Sequence, residues 1–430
     1  MEYGKLTIGD KIKSLRIAKG VAQEDLAHNL MQHASTLSRI ERGVLECPNE
    51  LLYEIKKALN VEGLPFNESE RQAFRDKLYD WGNVISEREI DEAKKIQLKL
   101  SVITYLPADK ELNMLYGLLN CRLLLVLNEL DEATQIIDAM EAAASEMDTI
   151  CLYYHYRNCG TWHYKNAQYD IALGFYTKAF DLPARELANR VTRYYAIACC
   201  YFRMGLVSRC ITFLERAREE GSDDHNTFHE YYVDWLLAIS YIYTDKLQRA
   251  KVLLEKCKKT ARRDNNRKYM GDYLVNMGLM YRKAKKWPLA LDYLDDAFNY
   301  LTKGDESYID VIYEKCYCLL EMDYFSACIE LADEGKKLVD EKIVGYKDYL
   351  TLFEAIKCLA SLNHSDSVKY IETVAIPHLI EKKCLWIAVD YCALIIEYYT
   401  NKKSRHNGVI SRFKAIAFDA YKILHEGGVL

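Results

Sequence analysis

Asn158 and Asn276 each stand two residues before a glycine within an apolar helical pattern. An asparagine side chain offers one acceptor and two donors, so it grips an extended peptide by its backbone whatever the peptide's sequence. Arg122, Arg157 and Arg282 occupy comparable places and would pair with a carboxylate, at a peptide's end or on a side chain. Tyr154, Tyr164, Tyr195, Tyr232, Trp235, Tyr313 and Glu314 complete this set, the aromatic rings supplying apolar pockets. For each residue the ordinary alternative is an inter-helix hydrogen bond or a packing contact. Covalent chemistry has no visible carrier: the sequence holds no P-loop, nucleophile elbow, HExxH or clustered metal ligands, so no enzyme, cofactor or metal is expected. His225 and His229 have i,i+4 spacing, but His225 follows Gly221-Ser222-Asp223-Asp224 and reads as part of a solvent-facing turn.

Fourteen cysteines are scattered along the chain, many at apolar helix positions such as Cys121, Cys210, Cys257 and Cys328. Cys199-Cys200 and Cys316-Tyr317-Cys318 lack paired CxxC spacing and histidines at ligand distance, which argues for packing rather than a metal. The N-terminus is charged and lacks the apolar stretch of a signal peptide, and no apolar run approaches a membrane span. A reducing cytoplasm is therefore expected, with the cysteines acting as small apolar residues.

Helices must position these groups. Half of the 430 residues are hydrophobic and only six are proline, which suits a long, mostly helical chain with more than one core. In the N-terminal stretch, Ile8, Ile12, Leu15 and Ala18 predict a helix ending at Lys19-Gly20. A second is expected from Gln23 to Leu30, then a turn at Met31-Gln32 and a third helix ending at Gly43. A fourth runs from about Asn49 to Asn60 behind Pro48. Two short helices around a tight turn form a helix-turn-helix.

The string Gln23-Glu24-Asp25-Leu26-Ala27, with Ser35-Thr36-Leu37-Ser38-Arg39-Ile40-Glu41-Arg42-Gly43 after it, resembles the lambda-repressor-like (Cro/C1, or XRE) family over residues 8 to 61. The resemblance implies DNA binding, with Gln32, His33, Ala34, Ser35 and Ser38 at the groove-facing start of the recognition helix. It implies backbone or neighbouring-base contacts for Gln23 and Arg39, and makes Glu41 a buried partner for Arg16. Ala22 and His33 stand where the family usually has a Ser or Thr cap, a loss of about 1 kcal/mol each. Residues 1–66 carry nine Lys/Arg and nine Asp/Glu, so the basic footprint of a strong nucleic-acid binder is missing there.

From residue 91 the pattern repeats. Gly160…Ala172 and Gly278…Ala290 resemble the tetratricopeptide plan, in which small residues on paired helices meet twelve positions apart. Further pairs are Ala198 with Cys210, Ala238 with Ala250, Cys316 with Cys328, and more weakly Cys121 with Ala133 and Ala355 with Ser367. The second members fall 38 to 40 residues apart, and Leu385 to Leu424 reads as a final capping pair. With each first member as an anchor, residues two and three before it, and one and four after, face the concave surface; this selects the set named at the outset, with Tyr154 and Tyr232 lying six before their anchors. Tyr201, Tyr241 and Tyr281 fall at packing positions.

The expected fold is all-α: a helix-turn-helix domain at 1–66, a connecting helix or linker at 67–90, and at 91–430 a right-handed superhelix of tetratricopeptide-like hairpins with C-terminal capping helices. Residues 67–110 are expected to hold the connecting helix and a first unit. This order resembles the cytosolic pheromone-receptor regulators of Gram-positive bacteria, the Rgg, NprR, PlcR and PrgX group. The resemblance implies a quorum-sensing transcription regulator, a homodimer on double-stranded operator DNA switched by a short signalling peptide, without a membrane partner. It also implies that Asn158 and Asn276 grip the peptide backbone. The competing class is a Rap-like adaptor whose repeats sequester a response regulator or kinase.

Overall fold

The computed structural model describes residues 7–61, 68–101, 109–183, 190–221, 227–303, 306–342, 347–401 and 406–426. They form two compact units, residues 1–188 and 189–430. The secondary structure of the described residues is helical throughout.

The first unit opens with α1 (Ile8–Ala18), α2 (Gln23–Asn29), α3 (Ala34–Glu41) and α4 (Asn49–Ala58). Thr7 caps α1 in a full capping box with Asp10, while Gly20 and Gly43 end α1 and α3 at φ +67°. Ile12, Leu15, Leu26, Leu37, Ile40 and Ile55 form the core between them. Gly9 lets α1 lie directly on α3: a Cβ there would stand 1.8 Å from the Ile40 carbonyl oxygen. As their sequence predicts, the N-caps of α2 and α3, Ala22 and His33, make no side-chain cap hydrogen bond.

Three hairpins follow in this unit: α5 (Glu68–Ser86) with α6 (Ile90–Ser101), α7 (Lys110–Leu127) with α8 (Leu130–Ala142), and α9 (Thr149–Lys165) with α10 (Tyr169–Asp181). The second unit holds α11 (Arg190–Arg203) with α12 (Val207–Glu220), α13 (Thr227–Tyr243) with α14 (Leu247–Arg263), and α15 (Arg267–Lys283) with α16 (Trp287–Ala297). Next come α17 (Glu306–Glu321) with α18 (Phe325–Lys342), α19 (Lys347–Leu359) with α20 (Ser365–Tyr370) and α21 (Ile376–Glu381), and last α22 (Leu385–Asn401) with α23 (Asn407–Glu426). A π turn at Ile371–Ala375 joins α20 to α21 just ahead of Pro377, which has no amide to give the helical ladder.

One local device builds most of these hairpins. Asn128, Ala167, Gly205, Asp245, Lys285 and Asp323 all have left-handed φ, and each lies five residues before a small residue of the sequence pattern. The next amide reaches back five residues, as in Gln168 to the His163 carbonyl at 2.9 Å and Lys286 to Tyr281 at 2.9 Å, which closes the helix in a Schellman turn. The paired small residues then meet: Cys121 Sγ lies 3.7 Å from the Ala133 carbonyl, and Cys328 Sγ 3.2 Å from that of Cys316. All of Cys121, Ala133, Ala172, Ala198, Cys210, Ala238, Ala250, Ala290, Cys316, Cys328 and Ala355 are fully buried.

The α5–α6 hairpin uses the same turn, with Arg88 left-handed and Ala93 buried five residues on. Trp81 fills the place where later hairpins carry a small residue, and its indole N–H donates to the Ala93 carbonyl at 2.9 Å. A bulky residue at the crossing hid this unit from a search for small pairs. Tyr241 is buried, whereas Tyr201 and Tyr281 are half-buried against Phe213 and Tyr293.

Candidate recognition helix and ligand-binding faces

The residues expected to meet DNA at and just before α3 are accessible: Gln32, His33, Ser35 and Arg39 are exposed, and Ala34 and Ser38 are half-buried. No acidic residue lies in the first turn of α3, so its amide end presents partial positive charge. Gln23 is committed inward: its Nε2 donates to Glu41 at 2.7 Å. Arg16 grips the same carboxylate through Nε at 2.7 Å and a terminal nitrogen at 3.0 Å, as the family resemblance implies for this pair. This triad ties α1, α2 and α3 together, which fixes the presentation of α3.

In the repeats of the first unit, Asn158 on α9 is fully buried and donates to the Leu118 carbonyl of α7 at 2.7 Å, while its Oδ1 has no hydrogen-bond partner. Arg122 lies one turn beyond Leu118 on α7, 9% exposed, and its Nε is likewise unmatched. Burial, and then the charge of Arg157, hold the Arg122 guanidinium down to about 10, still cationic at neutral pH. Arg157 is itself buried and donates to the Tyr153 hydroxyl at 2.7 Å. Tyr154 packs edge-on to Tyr153, and burial pushes its hydroxyl up to about 12. Tyr164 is half-buried beside Tyr169. Two arginines thus share a desolvated, tyrosine-walled place.

The second unit treats its share of the set differently. Tyr195, Tyr232 and Trp235 are half-buried and step along α11 and α13 at 6.4 Å between rings, with the Trp235 indole N–H unmatched. Asn276 turns back on its own helix, donating to the Asp272 carbonyl at 2.7 Å. Arg282 is already paired, with Glu314 of α17 and, at 3.4 Å, with Asp390 of α22. Lys283 reaches both oxygens of Asp390 at 2.7 Å, and the Arg282 guanidinium lies over the Tyr317 ring. Burial opposes the Arg282 charge, but Glu314 and Asp390 outweigh it and hold its pKa above the ordinary arginine range. Tyr313 meets the Tyr391 hydroxyl of α22 at 3.0 Å. The sequence pattern did not single out Asp390, Tyr391 or Trp386, which stacks on Tyr243. They belong to the capping pair, and only folding brings them to the helix faces of earlier repeats.

All fourteen cysteines are free thiols. Burial pushes those of Cys200, Cys210 and Cys257 up, as suits packing residues. Among the described residues, neither Cys199-Cys200 nor Cys316-Tyr317-Cys318 gathers a third metal-type ligand. His225 lies outside the described residues. No described helix is long and apolar enough to cross a membrane.

The chain combines a helix-turn-helix domain with small-residue helical hairpins, and comparisons with known proteins find likenesses to each part. A helix-turn-helix family profile matches residues 12–64. The transcriptional activator NprA of Geobacillus stearothermophilus is 22% identical over 250 residues, 57% of this chain; the match spans about three-fifths (61%) of that relative's length. Among solved structures, a Rap protein complexed with competence and sporulation factor is similar at TM-score 0.71 and 14% identity, over 83% of this chain and 99% of its own. NprR in complex with its cognate peptide NprX is similar at TM-score 0.64 and 18% identity, over 81% of this chain and 99% of its own. Apo NprR from B. thuringiensis is similar at 0.62 and 17%, with 81% and 99% covered. At these identities the structural likeness is one of fold. The helix-turn-helix match and the repeat fold bear out the resemblance to the pheromone-receptor regulators.

Proposed function

We propose that this chain is a peptide-responsive transcription regulator: a cytoplasmic homodimer that binds operator DNA and is switched by a short signalling peptide on its repeats. The observation that carries this reading is the buried group on α7 and α9. An unmade hydrogen bond at a buried polar atom costs about 1–3 kcal/mol, and a buried cation without a carboxylate costs more. Asn158 Oδ1 on α9 and Arg122 Nε on α7 both hold such unspent capacity. A peptide restores it, its backbone N–H meeting Asn158 and its carboxylate meeting Arg122 and Arg157. The peptides named with NprR and with a Rap conjugation gene regulator support the same class of ligand.

Control follows by population shift. A peptide that fits one arrangement of the hairpins better than another favours it by the difference in affinity and no more. Two recognition helices must stand about 34 Å apart, or a multiple of that, to enter successive major grooves, so the operator is pseudo-palindromic and its affinity depends on peptide. The adaptor reading draws on one observation: nine basic and nine acidic residues cancel over residues 1–66.

The test is a fluorescence-anisotropy titration of the purified chain against the DNA upstream of its own gene, with and without short synthetic peptides encoded beside it. The proposal expects saturable, sequence-selective binding that one peptide shifts. Absence of DNA binding at low salt overturns it in favour of the adaptor. DNA binding that no peptide alters removes the peptide from the account.

A further inference from the structure

Where α8 of one hairpin meets α9 of the next, three metal-type ligand atoms converge. His155 and Cys159 lie one turn apart on α9, so their side chains share a face. Glu141 enters from the last turn of α8. His155 Nε2 stands 2.6 Å from Glu141 Oε2 and 3.7 Å from Cys159 Sγ, and all three ligand atoms lie within 4.8 Å of one another. Among the described residues no other group of three such ligands is this close. His155 is fully buried and Cys159 4% exposed, whereas the Glu141 side chain is 68% exposed.

We infer that Glu141, His155 and Cys159 form a binding site for a divalent transition cation of the zinc class, with water completing the coordination from the open side. Bonds of about 2.0–2.3 Å in a tetrahedron set neighbouring ligands roughly 3.3–3.7 Å apart. The sulfur–nitrogen separation already has that value. The carboxylate–imidazole pair is closer, at hydrogen-bond distance, and the exposed Glu141 side chain retreats by rotation to admit the ion.

Binding replaces the Glu141–His155 hydrogen bond with two coordinate bonds and expels the Cys159 thiol proton to solvent. The proton that Nε2 donates to the Glu141 carboxylate is released and Nδ1 takes one up, so His155 ligates through Nε2 as the neutral Nδ1–H imidazole. Thiolate and carboxylate together cancel the charge of the cation, so the loaded site is neutral beside the apolar hairpin core. An N, O and S donor set suits zinc or cobalt and disfavours magnesium and calcium, which take oxygen ligands. The sequence hides this site, because the His-x3-Cys pair is ordinary by itself and Glu141 lies on the preceding hairpin.

The test uses the full-length chain stripped with chelator and titrated with cobalt(II) as the spectroscopic probe. One equivalent is expected to produce a near-ultraviolet thiolate-to-cobalt band together with visible tetrahedral bands, both bleached by zinc. Cys159→Ser removes the thiolate band. Glu141→Gln, at an exposed position that leaves the hairpin intact, weakens cobalt binding roughly tenfold or more. The inference is overturned if no thiolate band appears at one equivalent, or if the band persists in Cys159→Ser, which would place it at another cysteine. Unchanged affinity in Glu141→Gln also overturns it, and this exposed variant decides the matter should Cys159→Ser fail to fold.

Discussion

At Ala22 and His33 the chain leaves helix amides uncapped, so α2 and α3 begin without the side-chain acceptor that a serine would supply. Replacing both, as Ala22→Ser and His33→Ser, is expected to slow amide exchange across residues 23–41 by about 1 kcal/mol per site in local opening energy. Unchanged exchange would mean that those amides are satisfied in another way. The triad of Arg16, Gln23 and Glu41 shows the opposite economy, both carboxylate oxygens of Glu41 being used. Its Arg16–Glu41 half was legible through family resemblance. The commitment of Gln23 to Glu41 was not, because a residue eighteen positions away competes with the phosphate contact the resemblance implies. Likewise Arg282 and Glu314 looked like groove residues by register, and α22 brings Asp390 to the same place from 108 positions along the chain. Register predicts the face of a helix and says nothing of what else folds onto that face.

Elements are held by close backbone approach and by one recurring turn. Gly9 has its neighbour's carbonyl where a methyl group would sit, so Gly9→Ala must part α1 from α3. The expected outcome is a loss of about 3 kcal/mol in local stability, seen as faster exchange over residues 8–41 and as loss of DNA binding. At the repeat turns the left-handed residue costs about 1–2 kcal/mol when it is not glycine, against about 0.5–1 kcal/mol of extra chain entropy for a glycine. Ala167→Gly is therefore expected to stabilise the α9–α10 hairpin by up to about 1 kcal/mol, read from the urea midpoint and from exchange over residues 149–181. These turns explain why so much of the fold was legible. A small residue twelve positions after another, with a left-handed residue between, marks six hairpins at intervals the sequence shows directly. Where Trp81 replaces the small residue, the same turn persists with a different filling; between α19 and α20 no left-handed residue stands five before Ser367, and the pattern fades.

For the molecule, each unit has its own core and its own polar arrangement. In the second unit, α15, α17 and α22 meet at Arg282, Glu314 and Asp390. Removing one member of a buried ion pair costs about 3–5 kcal/mol, because the partner is left buried and charged. Glu314→Gln is expected to lower that unit's stability by about 3 kcal/mol in urea titration, while Arg282→Met with Glu314→Leu costs less than the single change. A single variant that proves neutral would show the network to be hydrated.

In the first unit, the proposal that Arg122 receives a ligand's carboxylate is the account's central claim. It is tested most directly by comparing one active peptide as its free acid and as its C-terminal amide, in operator-DNA anisotropy, on the native chain and on Arg122→Met. The account predicts that the native chain responds to the free acid at a concentration roughly tenfold or more below that for the amide if the terminal carboxylate is the one bound. If a side-chain carboxylate is bound instead, exchanging that Asp or Glu for its amide has the same effect. In Arg122→Met the preference disappears. A native chain indifferent to both carboxylates, or a preference that survives Arg122→Met, would contradict it.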